Sequence, residues 1–468
     1  MKKMKIKLLS ILLFTQFCFA NLEREIDKIK KELNLTKKDL IGFSIHDKEK
    51  TLSSFNENEH FIPASTFKIV SAFYILENLS PNFKFETKFG YRGKINKGIL
   101  EGDLVLNLSG DPYLLTSDLY NMALTLRQRG IKEVKGSLII SSNFPSLQRI
   151  GNVGLDDQPY NQGLSALNVN FNRFKAIRYK DKALAFPMLD YLQMEAVKDL
   201  SPGEIFRRKN IENKEAWQSS KLEKYFYEVP IRDTLKFNAH YLLKLINDLG
   251  IKTSPNVTIG KEIMTKELYS KKSLSTLKLV ELALEYSNNL FIEVLTLKAA
   301  KAKNLKEASD KLKLFYKEKF PSLGIHNLNF ENNSGLTLNL KIRTKTIAQL
   351  LQKIAYKKYE DRYFITLLSL AGNGGFLAKR FLNERTHLKF FAKTGSLDYV
   401  NGICGYSMSS QRSFCLFINN KELRSQLQGR NTKQKDQLRR NAKKWKRNTD
   451  AMLERVINNL FFHKLRLL

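Results

Sequence analysis

Ser65 and Lys68 stand three residues apart in the stretch Phe61-Ile62-Pro63-Ala64-Ser65-Thr66-Phe67-Lys68-Ile69-Val70. A serine hydroxyl is a weak nucleophile until a base takes its proton, and a partly desolvated lysine can be that base because burial lowers its pKa. Pro63 comes just before an apolar run of Ile69, Val70, Phe73, Tyr74 and Leu76, which reads as the start of a helix with Pro63 near its first turn. On a helix, a spacing of three puts both side chains on one face. The Ser65 N–H would lie at the helix N-terminus, where partial positive charge favours an anion. One short segment thus offers a nucleophile, a base and half an oxyanion hole.

The pair alone is weak, because Ser275-Thr276-Leu277-Lys278 repeats it in a lysine-rich chain. Two partners in order strengthen the first copy: Ser287-Asn288-Asn289, then Lys393-Thr394-Gly395-Ser396. Ser-x-Asn also recurs at Ser54, Ser80, Ser141 and Ser254, but Lys-Thr-Gly occurs once and follows the strand-like run Leu388 to Ala392. The trio is the motif set of penicillin-binding proteins and serine β-lactamases. Ser275 sits too close to Ser287 to be the first member.

Further blocks narrow the resemblance: Gly102-Asp103-Leu104, Ser109-Gly110-Asp111-Pro112, Gly130-Ile131, Gly136-Ser137-Leu138 and Glu331-Asn332-Asn333-Ser334-Gly335-Leu336. With them the chain resembles the D-alanyl-D-alanine carboxypeptidase/endopeptidases, the insert-bearing low-molecular-mass class C penicillin-binding proteins, from about Leu40 to Asn419. The resemblance implies an acyl transfer. Ser65 attacks the carbonyl of a terminal D-Ala-D-Ala bond and Lys68 acts as base. Ser287 and Asn289 pass the proton to the leaving amine and hold the substrate. Lys393 and Thr394 grip the terminal carboxylate, Gly395 allows close approach, and the N–H groups of Ser65 and Ser396 form the oxyanion hole. It also implies an acid on the insert that meets the amine of the peptide's diamino acid. Asp156 and Asp157 lie in that region, and Asp157 is the candidate, against plain surface solvation. The expected partners are peptidoglycan peptides and β-lactam antibiotics. A secreted β-lactamase and a non-catalytic wall-binding scaffold are the alternatives; the long stretch between Lys68 and Ser287 counts against the first, and the intact Ser65, Lys68 and Lys393 against the second.

The elements that must position these residues read as an α+β fold, an antiparallel sheet packed with helices. A signal peptide is expected over 1–20, with four lysines followed by the apolar run Leu8 to Phe19 and cleavage after Ala20, which implies an exported, periplasmic protein. A retained N-terminal anchor is the other reading. The discontinuous catalytic domain takes 21–85 and 266–468, an inserted α/β domain 86–170 and 230–265, and a nested β-rich domain 171–229. A helix over Asn21 to Lys38 and a hairpin over Leu40 to Phe55 open the catalytic part. Helices flank Ser287-Asn288-Asn289, which should sit in the bend between them. Lys389 to Lys393, Val400 to Ser407 and Ser413 to Asn419 read as strands, and Ala451 to Phe461 as the closing helix.

The 468 residues carry 79 Lys and Arg against 46 Asp and Glu, a formal charge of +33. This reads first as a lysine-rich solvated surface, with attraction to polyanions as the alternative; export argues against nucleic acid. Eleven of the basic residues fall in Lys421 to Arg447 against two acids, Glu422 and Asp436. That run reads as a solvated helix or loop, or as a tether to anionic envelope polymers or a membrane surface. The six histidines, His46, His60, His240, His326, His387 and His463, show no metal-ligand spacing, so no metal and no cofactor is expected. Cys404 and Cys415 flank a turn at Ser409-Ser410 symmetrically. Two readings stand for them, a cross-strand disulfide and two buried thiols.

Overall fold

The computed structural model describes residues 23–48, 50–180, 182–198, 200, 204–427 and 432–459, without the side chains of 432–436; the expected signal peptide lies outside this range. Two compact units divide the chain. The first takes Met1–Thr66, Ile342–Lys353 and Ser369–Leu468, the second Phe67–Lys341 and Ile354–Leu368.

The first unit is built on a six-stranded antiparallel sheet. Its order is Ser369–Leu370, Phe390–Leu397, Val400–Ser407, Arg412–Asn419, Leu40–Asp47, Lys50–Phe55. The hairpin at its N-terminal end and the strands from Lys389 onward thus form where the alternation and apolar runs placed them. Val400–Ser407 is buried along its whole length, as its nearly continuous apolar sequence requires of a strand covered on both faces. Ile41, Phe43, Ile45, Phe414, Leu416 and Ile418 share one core with Ile26 and Ile29 of a helix over 23–32. Cys404 lies directly opposite Cys415, with Cα atoms 4.0 Å apart and the sulfurs bonded.

The closing helix departs from expectation. It runs Thr432–Ile457, 26 residues, and Lys421–Gln426 is a short helix before it, so the described part of the basic run is helical. The reason is a seam that the lysines conceal. Leu438, Ala442, Trp445, Met452, Leu453 and Val456 fall on one face and pack into the sheet's core. The Trp445 indole donates to Asp39 Oδ1 at 2.7 Å, and the Tyr399 hydroxyl to the Leu438 carbonyl at 2.6 Å.

The second unit holds a seven-stranded mixed sheet, two three-stranded sheets and a helical cluster. The hairpin Glu86–Asn96 with Ile99–Leu108 forms the sheet's spine, and helices Thr116–Gln128 and Thr234–Asp248 share its core. Lys266–Lys272 pairs with Glu86–Asn96, so this sheet extends past the boundary expected at residue 265. Six strands between Arg173 and Pro230 make the two small sheets around Phe174, Trp217 and Val229. Helices Lys68–Asn78, Thr276–Glu285, Asn289–Ala300 and Leu305–Lys319 form the cluster. The Tyr316 hydroxyl donates to the Val70 carbonyl at 2.8 Å, and Phe73 meets Phe315, Phe320 and Phe364.

Candidate active site

In the first unit, Ser65 sits on a turn fixed from both sides. Phe61 bridges to Ile342, and the Ile62 N–H donates to Asn419 Oδ1 at 2.7 Å. Ala64 then adopts φ 46°, a left-handed conformation that costs a residue other than glycine about 1–3 kcal/mol. Ser65 lies in a 3₁₀ turn, Ala64–Phe67, closed by the Thr66 hydroxyl donating to the Pro63 carbonyl at 2.8 Å. The α-helix starts only at Lys68, later than the position of Pro63 suggested. The strand Phe390–Leu397 runs tight against this turn: a Cβ on Gly395 would come 2.5 Å from the Pro63 oxygen and 2.9 Å from the Ser65 nitrogen. Only glycine fits there, and the close approach it permits is by the chain's own turn, whereas the resemblance implies close approach by substrate at Gly395. Thr394 and Ser396 flank it on the same strand.

Lys393 lies two residues before Gly395 and is buried. Its amine donates to the Thr394 carbonyl at 2.9 Å and lies 5.9 Å from the Phe376 ring centre. No carboxylate pairs with it among the described residues. Burial alone pulls its pKa down to about 7.

In the second unit, Lys68 is fully buried as the first residue of its helix. Its Nζ donates to Asn289 Oδ1 at 2.6 Å and to the Ser334 carbonyl at 2.8 Å. Asn289 opens helix Asn289–Ala300, and Asn288 caps it by accepting the Phe291 N–H at 3.2 Å. Ser287 carries φ 55°, so the motif does form the bend between two helices. Its hydroxyl makes no hydrogen bond among the described residues. Lys68 and Asn289 are thus brought together; Ser287 is placed beside them without being bonded in.

Three supports were not legible in the motifs. Glu293, one turn beyond Asn289, is completely buried and accepts the N–H groups of Asn333 at 2.9 Å and Ser334 at 2.7 Å. Burial pushes its pKa up, against the pull of these donors. It ties the loop whose Ser334 carbonyl meets Lys68 to the helix that carries Asn289. The block Glu331 to Leu336 was the only sequence signal for that loop. Ser71 Oγ holds the same loop through the Asn333 carbonyl at 2.5 Å. From the other side, Asn289 Nδ2 donates to the Tyr160 carbonyl at 2.8 Å.

Asp157 needs correcting on two counts. It is buried rather than solvated, and its carboxylate accepts the N–H groups of Ile205 at 3.1 Å and Phe206 at 3.3 Å and the Gln158 amide at 2.9 Å. It knits the β-rich strands to its own loop and has little capacity left for a substrate amine. Neighbouring Asp156 is half-buried and paired with Arg149. The described residues contain no group of three or more His, Cys, Asp or Glu able to hold a metal ion, and no helix long and apolar enough to cross a membrane.

The model of the D-Ala-D-Ala carboxypeptidase 3 (S13) family matches residues 22–442. The D-alanyl-D-alanine carboxypeptidase DacB of Haemophilus influenzae is 24% identical over 397 residues, spanning 79% of this chain and 82% of that protein. The crystal structure of penicillin binding protein 4 (dacB) from Haemophilus influenzae superposes with a TM-score of 0.72 at 22% identity, covering 84% of this chain and 93% of that one. The same protein complexed with a β-lactam gives a TM-score of 0.68 at 20% identity. With its family match running through the sheet, the Ser65 turn and the Lys68 cluster alike, the chain belongs to the D-Ala-D-Ala carboxypeptidase 3 (S13) family.

Proposed function

We propose that the protein is a serine peptidase of peptidoglycan stem peptides, with Ser65 as nucleophile and Lys68 as its base. Ser65 Oγ attacks the carbonyl of the penultimate D-alanine while Lys68 takes its proton. The N–H groups of Ser65 and Ser396 receive the oxyanion. Collapse expels the terminal D-alanine, whose amine takes a proton relayed through Lys68 and Ser287. Asn289 holds the substrate's amide, and Lys393 with Thr394 holds its terminal carboxylate. Water then splits the acyl-enzyme. If the leaving amine belongs to a neighbouring stem peptide, the same steps cut a cross-link. A β-lactam enters the same path, but its leaving group stays attached and the acyl-enzyme persists.

One observation supports this most: a buried Lys68 amine aimed between two neutral oxygens, Asn289 Oδ1 and Ser334 O, three residues along the chain from Ser65. Residues 21–85 and 266–468 form the catalytic domain in this reading, apart from Lys266–Lys272, which pairs into the sheet of the insert; 86–170 and 230–265 are the insert and 171–229 is nested within it. Action on the wall fits export under a signal peptide at 1–20 to the periplasm. The basic run Lys421 to Arg447 supplies attraction to anionic envelope polymers in this reading.

Fluorescent penicillin should label the protein covalently at Ser65 alone. Ser65→Ala should abolish the label without lowering the melting temperature, since one hydroxyl is removed. Full labelling of folded Ser65→Ala would overturn the assignment, and rapid turnover of the drug would mark a β-lactamase. Masses of the products from purified cross-linked wall fragments divide carboxypeptidase from endopeptidase action.

A further inference from the structure

Arg232 is 2% exposed, in the second unit at the junction between the β-rich strands and helix Thr234–Asp248. Its guanidinium forms no ion pair among the described residues. Burial pulls its pKa down to about 10, which leaves it charged at neutral pH. Burying a cation outside any direct ion pair costs several kcal/mol, so its hydrogen bonds must compensate, together with the nearby charges of Asp156 and Glu215. They go to three backbone carbonyls of one loop: Gln148 at 3.3 Å, and Asp156 and Asn161 at closer range. Arg232 is itself fixed. Glu215 accepts its N–H at 3.1 Å and the Trp217 indole at 2.9 Å, and the Trp217 ring lies 6.0 Å from the guanidinium.

The loop it clamps is closed internally as well. Asn161 Oδ1 accepts the Gly151 N–H at 2.9 Å, and its Nδ2 donates to the Gly151 carbonyl at 2.5 Å. The loop presents the Tyr160 carbonyl to Asn289 Nδ2. A carbonyl can only accept, so it fixes which end of the Asn289 amide faces it. The other end, Oδ1, is then turned to Lys68 and accepts a hydrogen bond from its amine. Release of the Tyr160 carbonyl would let the amide rotate and set NH₂ against the lysine.

We infer that Arg232 is a positioning residue for acylation: through the 148–161 loop it locks the Asn289 amide that orients Lys68. This rests on the function proposed above. The insert therefore contributes to the chemistry itself, including on a small β-lactam that needs no contact with it.

The test follows labelling of the full chain by fluorescent penicillin over time at several concentrations, which separates reversible affinity from the acylation rate constant. Arg232→Met removes the donors and keeps most of the bulk. The rate constant should fall by about 10- to 10²-fold, as expected for a small misplacement of a catalytic group. Reversible affinity and the final label per folded molecule should stay at wild-type values. A purely structural role gives the opposite result, fewer labelled molecules that react at the normal rate, and overturns the inference. If Arg232→Met does not fold, Asn161→Ala loosens the same loop and is read the same way. Wild-type rates in a folded variant sink the inference alone, whereas absence of label on the wild type sinks the reading beneath it.

Discussion

Ser65-x-x-Lys68 and Ser275-x-x-Lys278 share one spacing and do unrelated things. Ser275 caps helix Thr276–Glu285 by accepting the Lys278 N–H at 3.3 Å. The Lys278 amine reaches Glu281 at 2.8 Å with half its side chain in water. An exposed pair of this kind is worth about 0–1 kcal/mol. Lys68 is fully buried, and its amine donates hydrogen bonds to oxygens of Asn289 and Ser334. The difference lies outside both tetrapeptides. A loop tied down by Glu293 and a helix opened by Asn289 make one lysine a candidate base, and their lack leaves the other a surface ion.

The comparison breaks first at the lysines. Lys68→Ala should slow penicillin labelling by about 10²–10⁴-fold, the usual worth of general-base help. Lys278→Ala should leave the rate unchanged, and equal losses in the two would erase the distinction. A smaller effect separates Lys68 from the other buried lysine. Lys393 has a pKa near 7 in the free protein, and only its charged form attracts a carboxylate. For a peptide ending in a free carboxylate, kcat/KM should fall as pH rises above about 7, by up to about tenfold per unit. The methyl ester of that peptide should lack this limb, and Lys393→Ala should remove it. The stability consequence has the same sign. The unfolded chain binds the extra proton between about pH 7 and the ordinary lysine value, so burial costs most below pH 7 and the cost shrinks as pH rises. Thermal melts of Lys393→Met should therefore exceed the wild type's most on the acid side. The smallest effect belongs to the decoy: Ser275→Ala should cost about 1 kcal/mol in urea unfolding, the worth of a helix cap, at unchanged labelling rate.

Much of this was readable before folding. Alternation gave the hairpin Leu40–Asp47 with Lys50–Phe55, and apolar runs gave Val400–Ser407 and Arg412–Asn419. Ser287-Asn288-Asn289 declared its bend because helical patterns flank it on both sides. The long helix Thr432–Ile457 was hidden, since its nine basic residues outweigh an apolar seam that shows only when Leu438, Ala442 and Trp445 are aligned with Met452 and Val456. Glu293 and Arg232 were hidden for a related reason. A charged residue among helical or strand-like neighbours reads as solvated, and its actual partners, the Asn333 and Ser334 amides and the carbonyls of 148–161, are backbone groups brought near by folding. Asp157 misled in the same way, since burial among the N–H groups of Ile205 and Phe206 leaves no trace in sequence.

The bond from the Ile62 N–H to Asn419 joins residues 357 positions apart, and the strand Leu40–Asp47 pairs with Arg412–Asn419 beside it. A ribosome makes the Ser65 turn early and its anchor late. At about 5–20 residues per second the interval is roughly 20–70 s. Until Asn419 has been made, the backbone leading into Ser65 lacks the contact that fixes it, and Leu40–Asp47 has no neighbour on that side. Formation of the Ser65 turn is thus timed by the synthesis of Asn419: an unfinished copy carries Ser65 in its sequence without the strand, the close-packed Gly395 or the anchor that hold its turn.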